Sequence, residues 1–153
     1  MAVFLRPAKN LRFRPITTTT TIPRFHQIAP SLRLSSTMPV FAEGTDEKTA
    51  MAGLNPLLAS GWTLDEEERG LNKTYYFKTY TKSVDFLNVV AIRSKSKNHH
   101  ATMTLKFGSV DIHWTTHFPR GLSMKDVDMA QYCDEQSAHI GTVDQSQAQK
   151  CHA

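Results

Sequence analysis

The spacing of hydrophobic side chains changes along the chain and predicts where helices give way to strands. From Thr45 to Ser60 and from Thr81 to Lys97, apolar residues recur every three or four positions, the period of a helix with one buried face. We expect Thr45 to cap the first of these helices. From Ala101 to Phe107 and from Val110 to Thr116, apolar residues alternate with polar ones, as in half-buried strands. The intervening Gly108-Ser109 predicts a tight turn.

Two further patterns complete the set of elements. Trp62–Leu64 and Leu71–Phe77 flank an acidic turn and predict another hairpin. Ser123 is followed three residues later by Asp126, a pattern that caps a helix, and this third helix is expected to end near Gly141. The order helix, hairpin, helix, hairpin, helix predicts an α+β domain. Its expected form is a four-stranded antiparallel sheet with three helices packed on one face.

Composition divides the chain into three parts. Residues 1–42 contain six basic side chains and no acidic one, together with many Thr, Ser and Pro residues. This predicts a disordered, basic extension typical of a mitochondrial transit peptide. A disordered extension without a targeting role is the alternative, and initiation at Met38 would give a cytoplasmic form. Residues 43–141 are the predicted folded domain, and residues 142–153 are a polar tail.

The charge of the folded part differs from that of the whole chain. The full sequence has a net charge of +4, but residues 43–153 carry 12 basic and 14 acidic side chains. A nearly neutral body gives no support for direct nucleic-acid binding. No apolar run approaches the ~20 residues of a membrane span, so no membrane segment is expected. Cys133 and Cys151 have no metal-ligand spacing and are expected to be reduced thiols.

The stretch from His99 to Asp126 carries the candidate chemistry. It holds four of the seven histidines, including His99 and His100 before the first predicted strand and His117 after the second. A hairpin brings these two positions close together, and Asp126 follows at the start of the third helix. Histidine can give and take a proton near neutral pH. The arrangement therefore favours proton transfer on a small polar molecule.

A zinc site is the weaker alternative. His113 and His117 share a face of the predicted strand, but the spacing HxxxH is diagnostic on a helix and no Cys or Glu completes a zinc shell. We expect neither a metal nor an organic cofactor.

The same residues resemble those of the pterin-4a-carbinolamine dehydratase family. The similarity rests on the spacing of these motifs: His99-His100, Thr116-His117, Gly121-Leu122-Ser123 and Asp126. It extends upstream through Gly61-Trp62, the Phe77-x-x-Tyr80 region and Phe86, and covers roughly Thr45 to Ala138.

The resemblance implies both a reaction and a division of roles. The reaction is loss of water from a 4a-hydroxy-tetrahydropterin to give a quinonoid dihydropterin, as in tetrahydrobiopterin recycling. By analogy, His99 and His117 exchange protons with the substrate, His100 orients the pterin, and Asp126 supports a histidine or the pocket. A homo-oligomer, either dimer or tetramer, is also implied.

Three departures from the family pattern surround the histidine pair. Lys95 stands where the family usually has an acid, Ala101 follows the pair in place of Pro, and Met103 replaces an aromatic residue. A cation beside an imidazole tends to lower the pKa of the imidazole. Lys95 therefore favours the alternative function, a catalytically weak family member that acts as an oligomeric binding protein or dimerisation cofactor.

Overall fold

The central feature of the fold is an antiparallel sheet, seen in a computed structural model that describes residues 38–148 and 150. Its strands are β1 (Thr63–Leu64), β2 (Leu71–Tyr76), β3 (Thr102–Lys106) and β4 (Ser109–Trp114), in the order β1-β2-β4-β3. The helices are α1 (Glu47–Ala59), α2 (Tyr80–Lys97) and α3 (Met124–Ile140). The predicted α+β class is confirmed. The predicted extension over residues 1–37, and Cys151 in the tail, lie outside the described residues.

The strand register separates a buried face of the sheet from a polar one. Leu71 pairs with Trp114, and Tyr75 with Val110, on the face that the helices cover. The opposite face is mainly polar and includes Asn72, Thr74, Thr102, Thr104, Asp111 and His113. Alternation along each strand thus places one set of side chains in the core and the other towards solvent.

Aromatic side chains fill much of the core between sheet and helices. Four aromatic side chains and two leucines are among the large side chains that are almost fully buried there: Trp62, Trp114, Phe77, Phe86, Leu54 and Leu71. Lys73 lies on the same face as this core, and its ammonium is 2.6 Å from the Asp134 carboxylate. Asp134 also accepts hydrogen bonds from Trp62 Nε1 and Tyr75 Oη. The largely buried ammonium of Lys73 is thereby paired, and this pairing offsets the free-energy cost of removing its charge from water.

The helix ends follow local capping chemistry. The N-cap of α1 is Asp46, whose carboxylate accepts from Thr49 N and Oγ1, so the expectation of Thr45 was wrong by one residue. Aspartate offers a charged acceptor at the positive end of the helix. At α3, Ser123 and Asp126 form the predicted capping box, and Gly141 ends the helix with a φ of 88°.

The chain after β4 differs from the sequence expectation. β4 ends at Trp114, and residues up to His117 do not continue it; instead β5 (Thr116–His117) pairs with β6 (Arg120–Gly121) in a separate ribbon. The turn of this ribbon is Phe118-Pro119, joined by a cis peptide bond. Proline has no backbone N–H to donate to a sheet, which suits a turn rather than a central strand.

Residues 38–42, here called the N-terminal strap, are built into the fold. Val40 N donates to Glu68 O at 2.8 Å, Leu122 N donates to Val40 O at 2.9 Å, and Ala42 N donates to Leu122 O at 2.8 Å. Gly121 permits this close approach, because a Cβ there would lie 2.5 Å from Ala42 N. The last residues of the predicted extension therefore hold the β5–β6 ribbon against the acidic turn.

Candidate active site

Asp126 is the centre of the candidate site. Its side chain is 0% exposed and lies in the first turn of α3, where Ser123 N donates to Oδ2 at 2.8 Å. Thr116 Oγ1 donates to the same oxygen at 2.7 Å, and His99 Nε2 lies 2.7 Å from Oδ1. Ser123 Oγ also lies within hydrogen-bond distance. A buried carboxylate is stable when donors surround it, and here those donors come from three separate segments.

His99 is fixed on several sides. The residue is 8% exposed, and its ring stacks on Trp114 with centroids 5.3 Å apart and planes at 16°. Its backbone N donates to Ser94 O, and Ser94 Oγ donates to its carbonyl. The chain reaches this position through Asn98, which adopts a left-handed conformation with a φ of 47°. The orientation of the imidazole is thus set by α2, β4 and Asp126 together.

His100 and His117 are the exposed imidazoles of the site. Each directly follows a residue that Asp126 holds: His100 follows His99, and His117 follows Thr116. These two solvent-accessible imidazoles, here called the histidine rim, are therefore each one residue away from a partner of the same buried carboxylate.

His113 lies apart from this rim. Its Nε2 is 3.0 Å from Asp65 Oδ2, on the polar face of the sheet beside the β1–β2 turn. Burial acts to raise the pKa of Asp65, but hydrogen bonds from Arg69 N, His113 and Gly70 N outweigh it and hold that pKa below its ordinary value. Within residues 38–148 and 150, no three His, Cys, Asp or Glu side chains are grouped so that they could hold a metal ion.

The helices of the described chain and the supports of His99 complete the description of the site. None of its helices is long and apolar enough to cross a bilayer. Sequence reasoning missed Trp114 and Ser94 as supports of His99, because the Trp114 stacking depends on tertiary packing and the Ser94 hydrogen bond depends on the left-handed end of α2 at Asn98. The S-x-x-D pattern did place Asp126 correctly at the start of a helix.

Comparisons with known proteins point to one family. Residues 43–136 match the family model described as pterin 4 alpha carbinolamine dehydratase. A pterin-4-alpha-carbinolamine dehydratase of Drosophila melanogaster is 32% identical over 89 residues, 58% of this chain and 46% of the relative. A putative pterin-4-alpha-carbinolamine dehydratase of Ruegeria pomeroyi is 31% identical over 93 residues, 61% of this chain and 96% of the relative. The match thus spans about half of the former and nearly all of the latter.

A solved structure shares the fold. The crystal structure of a transcriptional coactivator/pterin dehydratase from Brucella melitensis aligns with a TM-score of 0.51 at 21% sequence identity, and the alignment covers 55% of this chain and 92% of the other. At that identity the likeness concerns the architecture of sheet and helices.

Proposed function

This chain belongs to the pterin 4 alpha carbinolamine dehydratase family, a family of lyases, and we propose that it dehydrates a 4a-hydroxy-tetrahydropterin by histidine acid–base catalysis. The C4a hydroxyl is protonated and leaves as water, while a base removes the proton from N5. The N5 electron pair then forms the C4a=N5 bond of the quinonoid dihydropterin. The proposed setting is tetrahydrobiopterin recycling.

One observation supports this chemistry above the others: Asp126 ties His99 and Thr116 together beneath two exposed histidines. Histidine side chains can serve as both acid and base near neutral pH. Because the buried carboxylate binds both segments, it restrains the backbone next to each of the two exposed histidines.

The burial of the histidines favours a different division of roles from that expected by analogy. The resemblance gave proton exchange to His99 and His117 and pterin orientation to His100. In the structure His99 is buried and bonded to Asp126, whereas His100 is exposed. We therefore propose that His100 and His117 exchange protons with the pterin, and that His99 and Asp126 position them.

Alanine substitutions test this division. His100→Ala and His117→Ala should each lower kcat by about 10²–10⁴, the usual contribution of a general acid or base. His99→Ala should cost less in kcat but should lower the free energy of unfolding, because it removes the partner of Asp126 Oδ1. The measurement is turnover of 4a-hydroxy-tetrahydropterin beside urea unfolding of each variant.

His139→Ala is the matched control, since His139 is exposed at the far end of α3 and should leave turnover unchanged. Wild-type turnover that survives in both His100→Ala and His117→Ala would contradict the proposed mechanism. A larger kcat loss in His99→Ala than in either would restore the division expected by analogy.

A second candidate function is an oligomeric binding protein or dimerisation cofactor with weak catalysis. Lys95 is exposed at the end of α2, and on the same helix Ile92 is 70% exposed, so an apolar side chain is available to a partner. No turnover by the wild type, with recovery in Lys95→Glu, would favour this function. Turnover by the wild type that Lys95→Glu leaves within about twofold would count against it.

We also propose a mitochondrial location, with a cytoplasmic form from Met38 as the alternative, and a homo-oligomeric state. The acid-free, basic composition of residues 1–42 supports the first. N-terminal peptide mapping of the protein from each compartment tests the location, and sedimentation of the purified chain distinguishes monomer, dimer and tetramer. An unprocessed N-terminus in mitochondria would contradict the transit-peptide assignment.

A further inference from the structure

A cavity of about 420 Å³ lies between the C-terminal half of α2 and the facing side of α3. We call it the α2–α3 groove. Its wall is formed mainly by polar side chains from the two helices, with one residue of the candidate site: Arg93, Lys97, His99, Lys125, Asp128 and Tyr132. The groove therefore touches the buried His99, while neither His100 nor His117 is among its lining residues.

The charges of the groove are not paired with one another. Among the described residues, no ion pair within 4 Å involves Arg93, Lys97 or Lys125. Two carboxylates, Asp128 and Glu135, also line the groove and are likewise absent from those pairs. Three cations against two anions leave one uncompensated positive charge in a concave site, where low-dielectric walls strengthen the field.

Arg93 adds a second signal. Its guanidinium lies over the ring of Tyr132 at 5.0 Å, a cation–π contact that orients the group. Its Nε is buried and has no hydrogen-bond partner within the described part of the chain. Most buried donors in proteins are satisfied, so this N–H is a donor for which the described part of the chain supplies no acceptor. An anionic oxygen is the strongest such acceptor for a guanidinium.

The positions along the helices place Lys97 and Lys125 at one end of the groove, with Arg93 about one helical turn away along α2. Arg93 contacts Tyr132, and His99 contacts Asp126, so α2 and α3 run in opposite directions. Lys97 and Lys125 therefore lie near His99, while Glu135 lies at the opposite end, beyond Tyr132. Of the two carboxylates that line the groove, Asp128 is the one nearer to the end with Lys97 and Lys125.

We propose that the cationic end of the α2–α3 groove binds a phosphate or carboxylate group of a small ligand. Lys97 and Lys125 supply charge, and Arg93 supplies a directed donor. The group belongs either to a pterin with an anionic side chain, bound also at the histidine rim, or to a separate small metabolite. Only the first source rests on the proposed dehydratase function. In both cases the anion lies beside His99 and so acts on the His99–Asp126 contact that positions the rim.

Titration calorimetry of the full chain with inorganic phosphate and with citrate tests the site without any turnover. Both anions should bind, and Lys97→Gln or Lys125→Gln should weaken binding about tenfold, the loss expected for one charge-assisted hydrogen bond. Asp128→Asn should strengthen binding about threefold, because it removes a like charge. Lys48→Gln on α1, an exposed lysine outside the groove, is the matched control and should change nothing.

Equilibrium dialysis with two pterins identifies the source of the anion. If it is the substrate's own side chain, neopterin phosphate should bind about tenfold tighter than neutral neopterin, and Lys97→Gln should abolish that difference. If the anion is a separate metabolite, inorganic phosphate should bind equally well with or without saturating neopterin, and the two pterins should bind alike.

The proposal is overturned if neither phosphate nor citrate binds at millimolar concentration, or if binding persists unchanged in Lys97→Gln and Lys125→Gln. It is also overturned if anions do not bind and sedimentation shows that Lys97→Gln alters the oligomeric state, since the groove is then a contact between copies. Absence of dehydratase activity would leave the phosphate titration, and hence the anion site, unaffected.

Discussion

At the scale of single residues, Asp126 combines a structural role with a positioning role. The same carboxylate closes the capping box of α3 and holds His99 and Thr116. Because it is fully buried, it reaches any ligand only through those partners. The residue that starts the helix therefore also determines where the two exposed histidines stand.

Replacing Asp126 should be costly for stability. Asp126→Ala leaves Ser123 N, Thr116 Oγ1 and His99 Nε2 without their buried acceptor, and we expect it to lower the free energy of unfolding by about 3 kcal/mol. Urea denaturation followed by circular dichroism measures the change. Asp128→Ala, two residues along on the exposed side of α3, should stay within about 0.5 kcal/mol of wild type. Equal effects of the two substitutions would refute this role of Asp126.

At the scale of elements, the β5–β6 ribbon is too short to hold itself in place. Each of its strands has two residues, and Phe118 at its turn is 95% exposed. Its attachments are Thr116 to Asp126, the 2.6 Å ion pair between Arg120 and Glu67, and the N-terminal strap. The position of His117 therefore depends on residues that the sequence pattern assigned to the extension.

Two truncated chains should distinguish the contribution of the strap to stability from that of the residues before it. A chain that starts at Met38 should unfold and turn over like the full chain. A chain whose native residues start at Glu43 loses four backbone hydrogen bonds and uncovers Leu122, so we expect a loss of about 2–4 kcal/mol in stability. Its kcat should fall more than its KM changes, because His117 is less well positioned.

Gly121→Ala provides an independent version of the same test. Its added Cβ would lie 2.5 Å from Ala42 N and should displace the strap without shortening the chain. Unfolding midpoints for the Glu43 start and for Gly121→Ala that match the full chain would show that the strap does not hold the ribbon.

At the scale of the whole molecule, one core joins sheet and helices, and Cys133 lies inside it with 0% exposure. Burial is the main reason that the pKa of its thiol is raised to about 12. At pH values near 8 the thiol stays protonated, and the thiolate that reacts with alkylating reagents is almost absent.

Cys133 should therefore report global unfolding. In a Cys151→Ser background, iodoacetamide should not label the native protein at about pH 8, and labelling should appear at the urea concentration where circular dichroism is lost. Mass spectrometry of the intact protein measures the extent. Rapid labelling without urea would mean that this part of the core opens locally.

The fold could be predicted largely because local patterns agreed with the final packing. The alternation around Met103 and Ile112 identified β3 and β4, and the S-x-x-D pattern located the start of α3. Lys73 shows where such reasoning stops: it lies on the buried face because Asp134, 61 residues away, pairs with it. No local pattern contains that contact.

The candidate site could be predicted only in part, for the same reason. Histidine chemistry and spacing selected His99, His100 and His117, but which of the adjacent pair is buried depends on Trp114 and Ser94. The end of β4 at Trp114 and the pairing of Phe41 with Leu122 also arise from tertiary contacts. The family prediction was confirmed because it rests on residue spacing, which the sequence contains in full.

The sheet order has a consequence for how fluctuations reach the site. β4 lies between β2 and β3 and is hydrogen-bonded on both sides, whereas β3 is an edge strand bonded on one side. Edge strands fray at a lower free energy than central ones. The segment with His99 and His100 leads into the edge strand, and the segment with His117 follows the central one. The two halves of the rim are thus held differently: fraying of β3 loosens the backbone that follows His99 and His100, whereas His117 lies beyond the end of β4 and is held by the attachments of the ribbon.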